Sequence, residues 1–156
     1  MKKSKRQASE GKSKGIYPFF TSSNIQDKWI DEFDFDGEYL IFGTGGNPSI
    51  NWYNGKFSTS TDCFVIKCNE TIIKPLYLYV YFKLNMNLLE DAFKGQGLKH
   101  LSTSRLNAIE LSVTTTEHQN EICEKCKIVI DDNKKLLNDV RNLITEKEKI
   151  IVLNFK

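Results

Sequence analysis

Prolines are scarce, three in 156 residues, and histidines and methionines number two each. No apolar run exceeds the seven residues Leu76–Phe82, against the roughly 20 that a membrane-spanning helix needs. The basic start runs into polar residues rather than the apolar stretch that directs secretion. A cytoplasmic chain with no membrane association is the expectation. Four cysteines are present, but their spacing argues against a metal. Cys63 and Cys68 bracket Cys-Phe-Val-Ile-Lys-Cys, which reads as a strand, so side chains five apart point to opposite faces. Cys123 and Cys126 lie in a helical pattern, and the isolated His100 and His118 complete no ligand set with them. Free buried thiols in a reducing compartment are expected, with no metal and no cofactor.

Charge is also scarce in sum, at +2, but uneven along the chain. Residues 1–14 hold six Lys/Arg against Glu10 alone; residues 15–116 hold eight cations and eleven acids; residues 117–156 balance at eight each. A basic leader on a mildly acidic body suits a polyanion partner, and it reads equally as a solvated, disordered tail. Asp31, Glu32, Asp34, Asp36 and Glu38 crowd together, and strand alternation places most of them on one solvent face.

Three zones follow: a disordered basic leader (1–14), a recognition domain of strands, turns and short helices (15–116), and a long helix with a tail (117–156). No internal repeat is visible. Gly37–Gly43 reads as a strand bounded by glycines, and Thr44–Pro48 as a loop. Asn54-Gly55 between aromatic flanks predicts a tight hairpin, with Phe57 to Ile66 continuing as strand. Pro75 opens a segment with Leu76, Val80, Leu84 and Leu88 at steps of four, which predicts a helix. Gly95-Gln96-Gly97 breaks the chain. Ser102 or Thr103 can cap a short helix through Leu106, ahead of a strand-like Ile109–Val113.

The last zone carries a heptad seam: Ile122, Cys126, Val129, Asn133, Leu136, Val140, Leu143, Lys147 and Ile150 alternate steps of four and three. Ile130, Leu137, Ile144 and Ile151 widen it. A helix from 117 to 149 would be about 50 Å long, more than a chain of this size can cover. A second copy of the helix is the favoured occupant, with the first eight seam residues as its interface; the alternative is that the stripe packs on its own domain, with Asn133 and Lys147 at its edge. The polar Asn133 and Lys147 would help to fix register.

The order of several motifs resembles the target-recognition domain of the specificity (S) subunit of type I restriction–modification enzymes. They are Gly15-Ile16-Tyr17-Pro18-Phe19-Phe20-Thr21-Ser22-Ser23, Phe35–Ile41, Gly43–Asn47, Gly55–Ser60, Phe93–Ser102 and Leu106–Leu111. The resemblance spans residues 15–150. Where the family has a Pro-Pro-Leu-x-x-Gln stretch before its helix, this chain reads Thr114-Thr115-Thr116-Glu117-His118-Gln119, keeping the glutamine and losing the prolines. The resemblance implies an α+β fold: a mixed, mostly antiparallel β domain with short helices, followed by one long coiled-coil helix. It also implies a non-catalytic chain that binds double-stranded DNA, with methyltransferase and restriction subunits as further partners. A homodimer through the helix would rebuild the two-domain shape of full S subunits and read an inverted repeat with a gap.

If so, the acidic 27–38 region must face away from phosphates. Lys56, Lys94, Lys99, His100 and Arg105 are then the expected phosphate anchors. Ser22, Ser23, Asn24, Thr44, Asn47, Asn51, Tyr53 and Gln96 are the expected base readers, since amides pair with adenine edges. For the turn asparagines, bonding to their own backbone is the plainer expectation. Two other classes stay open: an interaction module that joins a methyltransferase without reading DNA, and a hydrolase or nuclease in a divergent fold. No catalytic constellation supports the last.

Overall fold

A computed structural model describes residues 2–94 and 100–154. Five strands form the main sheet in the order β2-β1-β4-β3-β5. They are β1 (Tyr17–Phe20), β2 (Lys28–Ile30), β3 (Phe35–Gly43), β4 (Ile50–Thr59) and β5 (Cys63–Ile66). All neighbours run antiparallel except β1 and β4, which pair in parallel through Phe19 with Ser58 and Phe20 with Thr59. Helices α1 (Pro75–Leu84) and α2 (Met86–Glu90) follow, then a small hairpin of β6 (Phe93–Lys94) and β7 (His100–Leu101). Helix α3 (Thr103–Asn107) and the long α4 (Thr116–Asn154) complete the order. The α+β fold with a mostly antiparallel sheet and one long C-terminal helix is as expected from the sequence. Among the described residues no helix is long and apolar enough to cross a membrane.

Alternation along β3 explains why the sheet is apolar on both faces. Leu40 and Phe42 join Ile50, Phe64, Leu78, Phe82, Leu89 and Leu106 in one cluster, which places α1, α2 and α3 over that face. Phe35, Tyr39 and Ile41 join Phe20, Phe57, Cys63 and Val65 on the other. Cys63 and Cys68 accordingly pack with different clusters. Pro75 begins α1, where its missing N–H costs nothing. The Ser102 hydroxyl caps α3 by accepting from the Arg105 amide.

Three expectations fail. Asn54-Gly55 makes no turn: β4 runs straight through it, with Gly55 opposite Gly37 and Asn54 opposite Glu38. Gly55 and Gly37 take φ of +137° and +118°. Such values favour glycine, and here they serve a local distortion of paired strands rather than a reversal. A Cβ at Gly55 would stand 3.2 Å from the Tyr53 ring. The reversal between β3 and β4 is instead the Thr44–Ser49 loop, and β4 ends before a turn at residues 60–62. Residues 109–113 form no strand; Ile109 and Leu111 lie against the helical face of the core without a pairing edge.

The leader is the third correction. Rather than a disordered tail, it is laid along the sheet. Lys2 exchanges both backbone hydrogen bonds with Val65 (3.0 and 2.9 Å) and Lys12 with Trp29 (2.9 Å each). A 3-10 turn spans Ala8–Glu10. The acidic run supplies the counter-charges: Arg6 reaches Asp34 at 3.0 Å and Glu32 at 2.9 Å, and Lys12 reaches Asp31 at 2.8 Å. Those carboxylates are partners of the leader, not merely a solvated face.

The chain divides into two units, residues 1–119 and residues from Asn120 onward. The first ends in a glutamine buried to 1% exposure. Its Oε1 accepts from the Lys74 amide at 2.9 Å, and its Nε2 donates to the carbonyls of Thr114 (2.9 Å) and Ile72 (3.1 Å). Gln119 thus fastens the first turn of α4 to the loop ahead of α1. The second unit is the rest of α4. Along it Val129, Leu136, Leu137, Val140, Leu143 and Ile144 are all more than 40% exposed. Asn133 is exposed as well, while Ile122 and Cys126 are half-buried. The side chain of Lys147 lies outside the described residues.

Candidate nucleic-acid interface

One end of the main sheet collects most of the turn residues expected to face DNA. β3 leaves the sheet at Gly43, where a Cβ would fall 2.1 Å from the Ser49 hydroxyl and 2.9 Å from the Ser22 Cα. Only glycine lets the β1–β2 loop and the β3–β4 loop approach this closely. The peptide carbonyl of Asp62 binds them together: it accepts from the Ser22 hydroxyl (2.8 Å), the Thr44 hydroxyl (2.9 Å) and the Thr44 amide (2.8 Å). Asn24 donates to the Pro48 carbonyl at 3.3 Å, and Asn51 to the Ser23 carbonyl at 3.2 Å. The Ser23 hydroxyl accepts from the Ile25 amide at 3.0 Å. Asn47 is exposed on the same loop.

The β6–β7 hairpin joins this end. His100 bridges to Gly45, and the Leu101 amide donates to the Thr44 carbonyl at 3.0 Å. Lys94 pairs with His100 across the hairpin backbone. Gln96 and Lys99, with Gly95 and Gly97, lie outside the described residues, as does the side chain of Lys94. Arg105 on α3 is exposed and donates from Nη1 to the Asp91 carbonyl at 2.6 Å.

Two expected residues are elsewhere. Tyr53 belongs to the aromatic cluster of the opposite face, its ring centroid 5.6 Å from those of Phe20 and Phe57. Lys56 pairs in register with Asp36 and sets its ammonium 4.6 Å from the Phe33 ring centroid. Tyr53 counts as a turn residue only where Asn54-Gly55 reverses the chain, and Lys56 counts as an anchor only as a cation outside the acidic run. As a strand, the segment sets Tyr53 opposite Tyr39 and Lys56 opposite Asp36. Four nominated readers, Ser22, Asn24, Thr44 and Asn51, also hold loops together. Sequence reasoning missed Asp62, whose peptide is the hub; the Ser58-Thr59-Ser60-Thr61-Asp62 run held the turn signal.

The site offers little chemistry beyond hydrogen bonding. Among the described residues no three His, Cys, Asp or Glu gather as metal ligands. Burial pushes the Cys63 thiol up to about 12 and that of Cys68 to about 11, leaving both protonated and poor nucleophiles.

The family described as the type I restriction modification DNA specificity domain matches residues 1–146. The chain belongs to this family. The specificity subunit of the type I restriction enzyme MpnII of Mycoplasma pneumoniae is 29% identical to it over 126 residues, 80% of this chain and 36% of that protein. A second M. pneumoniae homologue, S.MpnORF201P, is 29% identical over the same share of the chain and 50% of its own length. The chain spans about half the length, or less, of the curated relatives it matches. The type I restriction–modification S subunit of M. genitalium shares the fold of this specificity domain. It gives a TM-score of 0.69 at 16% identity, covering 88% of this chain and 38% of that structure.

Proposed function

We propose that this specificity domain binds double-stranded DNA sequence-specifically in the cytoplasm, as one half of a bipartite reader in a type I restriction–modification system. The observation that carries the reading is the convergence of Ser22–Asn24, Thr44–Asn47, Asn51 and His100 at one sheet end. The carboxylates at 31–34 are meanwhile engaged by the leader. Base edges would be read by exposed polar groups of these loops, and phosphates by His100, Lys94, Lys99 and Arg105. Chemistry on the DNA would belong to methyltransferase and restriction subunits, not to this chain.

The proposal extends to a homodimer joined along α4, its support being the exposed seam of Val129, Leu136, Val140 and Leu143. Two-fold protein symmetry then calls for an inverted repeat with a gap. Selection from random duplexes, with light scattering on the same sample, tests both parts. Twice the chain mass and a gapped palindrome are expected. A monomer that selects a single short site would overturn the dimer, and one that selects nothing would overturn DNA reading.

A further inference from the structure

We propose that Arg6 is a positioning residue for the DNA-facing loops: its side chain clamps the leader to the acidic edge, and its peptide holds the turn from which those loops hang. The inference rests on the DNA-reading proposal above.

The clamp is specific. Arg6 Nε donates to both oxygens of Asp34 (3.1 and 3.0 Å), and Nη2 donates to Glu32 at 2.9 Å. Nη1 stands 3.6 Å from Glu10. Ser4, itself buried, donates its hydroxyl to Asp34 at 2.7 Å. The guanidinium side chain is only 21% exposed, so its donors are committed to carboxylates rather than offered to phosphate. The hydrogen bonds it donates to Asp34 and then to Glu32 hold its proton even more firmly than usual.

From the clamp the connection runs through backbone. The Arg6 carbonyl accepts from the Thr61 amide at 2.8 Å, and Arg6 bridges to Ser60 in parallel. The Ser60 amide is in turn held by the Phe20 carbonyl at 2.8 Å. One residue on, the Asp62 carbonyl takes the three donors from Ser22 and Thr44. Two loops widely separated in sequence therefore share one anchor, and that anchor is seated by the leader. Loops that read bases need their polar groups held to fractions of an ångström, and a continuous hydrogen-bonded run supplies that rigidity.

Charge sign separates positioning from simple electrostatics. Arg6→Ala removes a cation and Asp34→Asn removes an anion, so a purely electrostatic effect on duplex affinity would have opposite signs. Loss of the clamp has one sign for both. The full chain and the two variants should be titrated with the selected duplex and with a scrambled duplex. Exchange of the Thr61 amide should be followed in parallel. Both variants should lower the selected-to-scrambled affinity ratio by about tenfold, the value of one good base contact. The Thr61 amide should exchange faster in each. Asp34→Asn is nearly isosteric, so it tests the clamp even where Arg6→Ala fails to fold. Ratios that stay at the parental value, or that move in opposite directions with charge, overturn the inference. A parent that selects no duplex overturns the DNA-reading proposal itself, and this inference with it.

Discussion

The two units of the chain treat their apolar residues in opposite ways. In residues 1–119 Leu40, Ile41, Phe42, Ile50, Phe57 and Phe64 are at most 2% exposed, and both faces of the sheet carry packed clusters. Along the second unit Leu136 and Leu143 are 61% and 63% exposed. Burial of apolar surface is the main source of stability. The first unit has that source within itself, whereas the helix must find it against another surface. Its own ion pairs, Lys127 with Glu124 and Lys134 with Asp131, are exposed (i, i+3) pairs that contribute a few tenths of a kcal/mol each.

The sharpest way to break this comparison is to charge the seam. Leu136→Lys together with Leu143→Lys would remove four leucine side chains from a dimer interface, at about 1.5–3 kcal/mol each. Dimers should vanish in light scattering, and helix content should fall with them, while near-ultraviolet signals of the strand-rich unit stay unchanged. Retention of the parental mass would show that the stripe is not the interface.

A second test sharpens the boundary between the units. Gln119 uses both of its N–H donors and its carbonyl oxygen toward Ile72, Thr114 and Lys74 with no more than 1% exposure. Gln119→Leu keeps most of the volume but strands the Lys74 amide and two carbonyls. It should lower the stability of the first unit by about 1–3 kcal/mol in denaturant unfolding. Faster exchange of the Lys74 amide should mark the site. Unaltered stability would mean that the start of α4 is held by something other than this side chain.

How much of this was legible in the sequence depended on whether the signal was local. The helix start at Pro75, the cap at Ser102, the strand through Leu40 and the long C-terminal helix are written in neighbouring residues, and each is present, although the first helix stops at Leu84, itself 79% exposed, instead of running through Leu88. The Asn54-Gly55 motif misled because its turn chemistry is shared with a distorted pair of strands, and only the glycine opposite, Gly37, discloses which applies. The leader misled for a related reason. Its cations read as a solvated tail until Asp31, Glu32 and Asp34, some twenty or more residues away, are set beside them. The parallel pairing of β1 with β4 and the gathering of loops on the Asp62 carbonyl are likewise long-range facts. Of the candidate interface, the loops were legible and their common anchor was not.

The smallest expected effect concerns the leader at low pH. Burial raises the pKa of Asp34, but hydrogen bonds from Arg6 and Ser4 and the nearby Arg6 charge more than offset it, leaving the carboxyl below its usual range. Asp31 is lowered by Lys12 in the same sense. A carboxylate whose pKa is depressed on folding adds stability above its unfolded value, and that stability is lost as pH falls through the folded value. The leader should therefore stay seated at neutral pH and loosen only below the ordinary carboxylate range. Solvent screens both pairs, so global unfolding should barely shift. Local exchange is the sensitive readout. The amides of Val65 and Thr61, which the leader's carbonyls accept, should lose protection on acidification while those of Ile41 and Leu40 on the interior strand β3 keep theirs. In Asp34→Asn the early loss at Thr61 should already be present at neutral pH. If Thr61 and Ile41 instead lose protection together, the leader is an integral part of the sheet's cooperative unit and not a separately clamped strap.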